Sequence, residues 1–264
     1  MKIIVSIKQV PDTSGKVAVN PDGTLNRASM QTITNPDDMN ALEAALKIKD
    51  ATGCKVVVVT MGPPPAAGML REALAMGADE AVLVSAREFG GSDTYATSQI
   101  LAAAINKIGV EADDIVMCGR QAIDGDTAQV GPELAEWLGI PSVSNVRKIL
   151  EIGEDGVSVE MDMPDDVERV RVRFPCLLTV DQDIFQPRLP SYVKKTESAG
   201  RPVEILTLDE MEDREETHYG LNGSPTQVQR IFPPAVNDRR ELWKEEGEAL
   251  SDRLYALLRD KKFV

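Results

Sequence analysis

Short apolar runs alternate with helix-type segments through the first 140 residues of this chain. The runs lie at residues 3–7, 56–59, 81–84 and 115–117, and the second of them consists of valine alone. Continuous apolar strands separated by helices of about 10–15 residues are typical of βαβ units, in which a parallel sheet is buried on both faces. Because crossovers between parallel strands are right-handed, the pattern predicts an α/β fold with an open, doubly wound parallel sheet.

Cap and turn residues set the expected limits of the helices. Asn35 before Pro36 predicts an N-cap and a first helical residue, and Gly53 ends that helix. Ser92 follows two glycines and predicts the cap of a later helix. The predicted segments are a hairpin turn at 20–23 and helices at 36–52, 69–76, 93–107 and 127–138.

The chain changes in character after Pro141, because no helical segment separates the next strand-like runs. We therefore expect these strands to be antiparallel and to extend the same sheet. They are predicted at 143–150, 157–161, 167–172 and 177–180.

From residue 186 onward the pattern loosens, prolines recur, and an amphipathic helix is predicted at 242–258. We expect a terminal arm of this kind to dock on a partner. The chain is therefore divided into an α/β nucleotide-binding domain with its antiparallel extension at 1–185, and a partner-docking loop with a C-terminal arm at 186–264.

Composition excludes several classes of function. The net charge of −14, from 43 acidic and 29 basic residues, argues against nucleic acid as a partner. Cys54, Cys118 and Cys176 lie far apart and form no CxxC pair, which argues against zinc ribbons, iron–sulfur clusters and a disulfide framework. The single histidine, His218, excludes a multi-histidine metal site. No leader-like start and no apolar run of ~20 residues is present, so we expect a cytoplasmic protein without membrane insertion.

The fourth apolar run ends at Gly119 and leads through a long polar loop into the fourth helix. Such a loop offers main-chain N–H groups at the positive end of a helix, where a phosphate binds favourably. Gly125 permits close backbone approach, Asp124 and Asp126 can accept ribose hydroxyls or fix the loop, and Arg120 supplies positive charge. The alternative is a structural loop whose aspartates cap the helix.

Other nucleotide fingerprints fail. No GxGxxG follows the first strand, so a Rossmann dinucleotide site is not supported, and the absence of GxxxxGK[ST] excludes a P-loop. The run Gly90–Gly91–Ser92–Asp93–Thr94 is similar to the pyrophosphate loop of ATP pyrophosphatases, but it follows the third strand rather than the first. We interpret it as a helix start, with threonines that can still line a ligand.

Several segments together resemble the electron transfer flavoprotein β subunit. The resemblance is carried by residues 5–12, 35–36, 61–63, 73–79 and, most specifically, 118–132. It implies an adenine-nucleotide α-hydrolase-like fold and a heterodimer with an α subunit. It also implies a nucleotide in the loop at 119–130, which is AMP in ordinary members and FAD in electron-bifurcating ones.

The loop sequence is closer to the bifurcating branch, since Asp124–Gly125–Asp126–Thr127 replaces the acidic run of ordinary members. Gly223–Ser224–Pro225–Thr226 is similar to that branch as well. The resemblance then implies that the bound FAD oxidises NADH. One electron passes through the α-subunit FAD to an acyl-CoA dehydrogenase or similar flavoenzyme, and the other passes to ferredoxin or flavodoxin. Neither a catalytic side chain nor a metal is predicted.

Two alternatives stay open: a conventional β subunit with structural AMP, and a nucleotide-binding sensor similar to universal stress proteins. Every reading uses the same candidate residues, which lie where the segments reach the carboxyl edge of the sheet. The predicted cofactor-binding residues are Ser6, Lys8, Val10, Asn35, Met61, Gly62, Thr94, Thr97, Gly119, Arg120, Gln121, Ala122, Ile123, Asp124, Gly125, Asp126, Thr127, Ala128, Gln129 and Val130.

The region at 187–195 matches the position of the family's partner-docking loop. The usual small residue and dense basic tail after it are diluted here by Thr196, Glu197 and Ser198. The identity of the docked dehydrogenase is therefore left open.

Overall fold

The computed structural model describes residues 1–12, 31–229, 240–244 and 246–264. These residues form two compact units, Met1–Gln229 and Arg230–Val264. The hairpin turn predicted at 20–23 lies outside the described residues.

The first unit is built around one large sheet with helices on both sides. In chain order its elements are β1 (Lys2–Ser6), β2 (Gln9–Pro11), β3 (Thr32–Thr34), α1 (Pro36–Thr52), β4 (Lys55–Met61), α2 (Ala67–Met76), β5 (Glu80–Val84), α3 (Thr94–Ile108), β6 (Ile115–Gly119), α4 (Val130–Leu138), β7 (Ser142–Ile152), β8 (Gly156–Asp162), β9 (Val167–Arg173), β10 (Cys176–Val180), α5 (Tyr192–Ser198), β11 (Glu204–Leu206) and α6 (Gly220–Gly223).

Across the described residues the sheet has nine strands in the order β11-β5-β4-β1-β6-β10-β7-β8-β9, and β2 pairs with β3 in a separate ribbon. Six of its pairings are parallel and only β7–β8 and β8–β9 are antiparallel. Alternate residues of β1 and β4 point to opposite faces, so one apolar cluster packs under α1 and α2 and a second under α3. The predicted doubly wound α/β fold is confirmed.

Strand β10 corrects the expectation that every strand after Pro141 is antiparallel. It lies between β6 and β7 and is parallel to both. Strand β9 already runs in the same direction as β7. Because only two residues separate β9 from β10, the chain continues in that direction, and β10 is therefore parallel to β7. All five residues of β10 are buried, as expected for a parallel strand covered on both faces.

Two helices of the first unit begin later than the sequence predicts. The cap of α3 is Asp93 rather than Ser92, because the Asp93 carboxylate accepts the Ala96 N–H at 3.1 Å. Helix α4 begins at Val130 rather than residue 127. Asp126 and Ala128 have φ angles of 51° and 53°, which a right-handed helix does not admit. The other predicted strands and helices of the first unit lie within about two residues of their predicted limits. The sequence analysis predicts none of the elements β2, β3, α5, β11 and α6.

The second unit contains helix α7 (Glu248–Asp260), which starts later than the predicted residue 242. The guanidinium of Arg253, within this helix, lies 4.4 Å from the centre of the ring of Trp243, which precedes the helix, a cation–π contact. Among the described residues, no helix is both long and apolar enough to cross a membrane.

Candidate functional site

A cleft opens where the carboxyl ends of β1, β4 and β6 meet. Strand β1 has β4 on one side and β6 on the other, so the order of the sheet reverses here. Ligands of open α/β sheets bind at such a point. The cleft has a volume of about 300 Å³. It is bounded by the end of β1, the start of α3 and the loop between β6 and α4.

The β6–α4 loop presents a series of free hydrogen-bond donors. In the described part of the chain, the main-chain N–H groups of residues 127–131 donate to no protein acceptor. The first main-chain hydrogen bond at the start of α4 runs from the Glu133 N–H to Gln129 O at 3.0 Å. The left-handed conformations of Asp126 and Ala128 delay the helix and produce this exposure. Because these donors lie at the positive end of α4, the loop suits an anionic group.

Asp38, in the first turn of α1, joins the two strand ends that form the floor. One carboxylate oxygen accepts the Gly119 N–H at 2.9 Å and the other accepts the Lys8 N–H at 2.8 Å. The side chain is buried, and burial raises its pKa to about 7. The hydrogen bonds oppose this shift without cancelling it. Asp38 therefore fixes the spacing of β1 and β6 at the cleft.

Asn35 connects α1 to the same loop. Its side-chain amide donates to Gln121 O at 2.8 Å and accepts the Ile123 N–H at 3.2 Å. It stands at the predicted N-cap position of α1, but its side chain makes no capping bond. Fully buried, Asn35 braces the loop from behind.

Gly119 permits the close approach that these bonds require. A Cβ atom at this position would lie 2.5 Å from the carbonyl carbon of Asp37 and 2.7 Å from the Asp38 nitrogen. Any larger residue would separate β6 from the start of α1, and the Asp38 carboxylate would then lose its Gly119 donor.

Among the described residues that line the cleft, Lys8 and Arg120 are the cations, and each is paired with a carboxylate. Lys8 Nζ lies 2.7 Å from Asp124, and Arg120 lies 3.6 Å from Asp181. Both cations are about half exposed, so they can turn toward a ligand. Asp37, beside the floor, has its pKa raised by burial.

The start of α3 forms the opposite wall. Thr94 Oγ1 lies 3.3 Å from Gln129 Oε1 and 3.2 Å from Glu133 Oε1. Thr97 lines the cleft one turn later. These contacts hold the start of α3 against the start of α4. Side chains of the two helices therefore meet directly at the β6–α4 loop, called the donor loop below.

The structure brings most of the predicted site residues together and leaves five outside the cleft lining: Val10, Asn35, Gly62, Ile123 and Asp124. Val10 is buried in β2, Gly62 donates its N–H to Val84 O, Ile123 bonds Asn35, and Asp124 pairs with Lys8. The predicted residues that line the cleft are Ser6, Lys8, Met61, Thr94, Thr97, Gly119, Arg120, Gln121, Ala122, Gly125, Asp126, Thr127, Ala128, Gln129 and Val130.

Seven lining residues are not among the predicted cofactor-binding residues: Ile7, Asp38, Ser92, Asp93, Leu101, Cys118 and Gly131. Asp38 carried a usable signal, because it lies three residues after the predicted N-cap and so within the first turn of α1. Cys118 is buried and its pKa is raised by burial, so its thiol stays protonated. Within the described ranges no cluster of metal-ligating side chains is found. The cleft thus offers binding and positioning groups.

The fold and the cleft define an α/β protein with a ligand site at the reversal point of a parallel sheet. A family model of the electron transfer flavoprotein domain matches residues 22–211. The chain therefore belongs to the electron transfer flavoprotein family, within its β subunits, and the resemblance seen in the sequence is confirmed.

Similar proteins align over nearly the whole chain. Acryloyl-CoA reductase electron transfer subunit gamma of Anaerotignum propionicum is 56% identical over 262 residues, covering 96% of this chain and 98% of that protein. Electron transfer flavoprotein subunit beta of Clostridium acetobutylicum is 44% identical over 265 residues, covering 100% of each chain. Caffeyl-CoA reductase-Etf complex subunit CarD of Acetobacterium woodii is 45% identical over 267 residues, again covering 100% of each.

Proposed function

We propose that this β subunit binds FAD in the cleft, takes electrons from NADH, and divides them between two acceptors. One path leads through the FAD of an α subunit to an acyl-CoA dehydrogenase-like flavoenzyme. The other leads to ferredoxin or flavodoxin. FAD, when bound, supplies the hydride and single-electron chemistry. The chain's own residues bind the cofactor, orient it and exclude water from its phosphates.

The free N–H groups of residues 127–131 carry this proposal. A diphosphate needs several donors and a nearby cation, and the cleft has both in the loop and in Arg120 and Lys8. Asn35 and Asp38 hold the loop in place before a ligand arrives, so little ordering is left for binding to accomplish. The residues present therefore fit a nucleotide phosphate.

The names of the relatives support a reductase-linked role. Two of them are subunits of acryloyl-CoA and caffeyl-CoA reductase systems, and they align over at least 96% of this chain. The sequence of the loop at 124–127, which resembles the bifurcating branch, supports FAD over AMP. An α subunit and a flavin-dependent acyl-CoA oxidoreductase are accordingly the partners that we propose.

A conventional β subunit with structural AMP is the second candidate. The donors at 127–131 suit a single phosphate as well as a diphosphate. An AMP-containing subunit would carry electrons between partners without oxidising NADH.

Release of the nucleotides from the purified heterodimer distinguishes these functions. Acid denaturation followed by chromatography should give two FAD per heterodimer, and the complex should reduce ferredoxin with NADH only while its second acceptor is present. One FAD with one AMP, and no NADH oxidation, would establish the conventional function. A heterodimer with only the α-subunit FAD would contradict both.

Arg120→Ala tests the charged contribution to the cleft. Loss of one charge-assisted hydrogen bond should weaken retention of the β-site nucleotide by about 1–3 kcal/mol. The measurement is the nucleotide content of the heterodimer after extensive gel filtration. Arg147→Ala is the matched control, because Arg147 on β7 is also about half exposed and pairs with Asp162 at the end of β8, outside the cleft lining. Equal retention in the two variants would show that Arg120 does not contact the nucleotide.

A further inference from the structure

The segment after β11 returns to the wall of the cleft and bonds Asp93 directly. The Thr226 N–H and Oγ1 both donate to Asp93 Oδ2, at 2.9 and 2.7 Å. The Asp93 N–H donates to Ser224 Oγ at 2.9 Å. We call these contacts of Asp93 with Ser224 and Thr226 the clasp. It joins residues that are more than 130 positions apart in the chain.

The clasp gives Asp93 two tasks. Its Oδ1 accepts the Ala96 N–H and so caps α3, while its Oδ2 holds Thr226. Burial alone would raise the pKa of the Asp93 carboxyl, but hydrogen bonds from Ala96, Thr226 and Ser224 lower it below its ordinary value. The carboxylate is therefore ionised and fully engaged at neutral pH.

A second layer supports the clasp. Ser224 Oγ donates to Gly220 O at 2.6 Å, and the Leu221 N–H donates to Gly90 O at 3.1 Å. Tyr219 is buried against Phe89, with ring centres 5.4 Å apart. Gly220 has a φ of +59°, and a Cβ there would lie 2.1 Å from Glu88 O. The loop before α3 is thus packed against the returning segment along its length.

The clasp reaches the cleft in two steps. Asp93 lines the cleft and precedes Thr94, and Thr94 contacts Gln129 in the donor loop. We propose that Ser224 and Thr226 are positioning residues: through Asp93 they hold the start of α3 where its threonines close the nucleotide cleft. This inference deepens the proposed function and rests on it. It also gives the Gly223–Ser224–Pro225–Thr226 motif a physical role.

Thr226→Val is the direct test, because it removes the hydroxyl and keeps the shape and the main-chain bond. Thr217→Val is the matched control: its hydroxyl donates to the Glu215 carboxylate at 2.8 Å in the same segment, outside the cleft lining. The measurements are the release rate of the β-site nucleotide from the heterodimer, identified as FAD or AMP, and the urea midpoint of unfolding.

We expect Thr226→Val to release the nucleotide about fivefold faster, the effect of one lost hydrogen bond. Thr217→Val should release the nucleotide at the wild-type rate, and the two valine variants should have the same urea midpoint. Thr226→Ser, which keeps the hydroxyl, should release the nucleotide as slowly as the wild type. Wild-type release rates in Thr226→Val, or fast release in Thr226→Ser, would overturn the role of the clasp. A wild-type heterodimer without a β-site nucleotide would overturn the proposed function, and the clasp inference with it.

Discussion

Helix α1 supports two regions of this molecule in opposite ways. At its start, Asn35 and Asp38 bond main-chain groups of the cleft. One to three turns later, Glu43 and Asp50 bond the guanidinium of Arg188 at 2.8 and 2.7 Å. The first arrangement leaves polar N–H groups open. The second leaves apolar side chains exposed to solvent beyond the Arg188 ion pairs: Leu189, Tyr192 and Val193 are 86%, 84% and 62% exposed.

The contrast shows how one helix can prepare two kinds of binding. Fixed N–H donors suit a small anion, since they need no reorganisation when it arrives. Exposed apolar side chains on an anchored loop suit a protein surface that can cover them. The residues at 187–195 match the family's docking loop only by the sequence resemblance. Their role in docking a dehydrogenase is a proposal.

Arg188→Met should have the largest effect on stability. Glu43 is only 2% exposed, so removing Arg188 leaves a buried carboxylate without its cation. The expected loss is about 3–5 kcal/mol in the free energy of unfolding, measured by urea titration. The double variant with Glu43→Gln should recover most of it, because the uncompensated charge is gone. Arg171→Met, whose pair with Asp155 is exposed, should leave the free energy of unfolding nearly unchanged. Equal losses in Arg171→Met and Arg188→Met would refute the buried anchor.

Asp38→Ala should have the next largest effect, and it should act on the cleft. The N–H groups of Lys8 and Gly119 would lose their acceptor, at a cost of about 1–3 kcal/mol. Nucleotide content and the free energy of unfolding should both fall, whereas Asp165→Ala, in the exposed turn after β8, should change neither. Full nucleotide retention in Asp38→Ala would mean that the loop is held by other contacts.

The pH dependence of stability gives a finer test of Asp38. Its pKa rises from 3.8 to about 7 on folding, so the native state holds an extra proton between these values. Stability from this group is therefore greatest at low pH and is lost as pH rises, at no more than about 1.4 kcal/mol per pH unit. The difference in unfolding free energy between wild type and Asp38→Asn should decline toward pH 7 and then level off. Parallel curves would show that Asp38 ionises normally.

The sequence is sufficient for the parts of the fold that depend on local pattern. Apolar runs and cap residues predict eight of the nine strands of the large sheet, the start of α1 at Pro36, and the edge at which the cleft forms. Prediction from the sequence fails where contacts between distant parts of the chain determine the structure. The insertion of β10 between β6 and β7 follows from the direction of β9, which no local pattern encodes. The late start of α4 depends on positive φ angles at Asp126 and Ala128, residues that tolerate a helix in other settings.

The same limit applies to the site. The polar loop at 119–130 is visible in the sequence because it is long and rich in Gly and Asp. The partners that hold it are not, since Asp38 lies 81 residues from Gly119 and Thr226 lies 133 residues from Asp93. Asn35, a predicted cofactor-binding residue, bonds the backbone of this loop through its side-chain amide, across 86 and 88 residues of sequence.

Lys8→Met should have the smallest effect on stability. It tests whether the cleft loop is held by the Lys8–Asp124 ion pair or by the main-chain hydrogen bonds to Asp38. The Lys8–Asp124 pair is 49% and 31% exposed, so its loss should change stability by no more than about 1 kcal/mol. The change should shrink at high salt, because screening weakens exposed pairs. The Lys8 N–H still bonds Asp38 in this variant. If Lys8→Met destabilised the protein as much as Asp38→Ala, the ion pair would hold the loop and the buried carboxylate would be secondary. If it accelerates nucleotide release at unchanged stability, the ammonium faces the ligand.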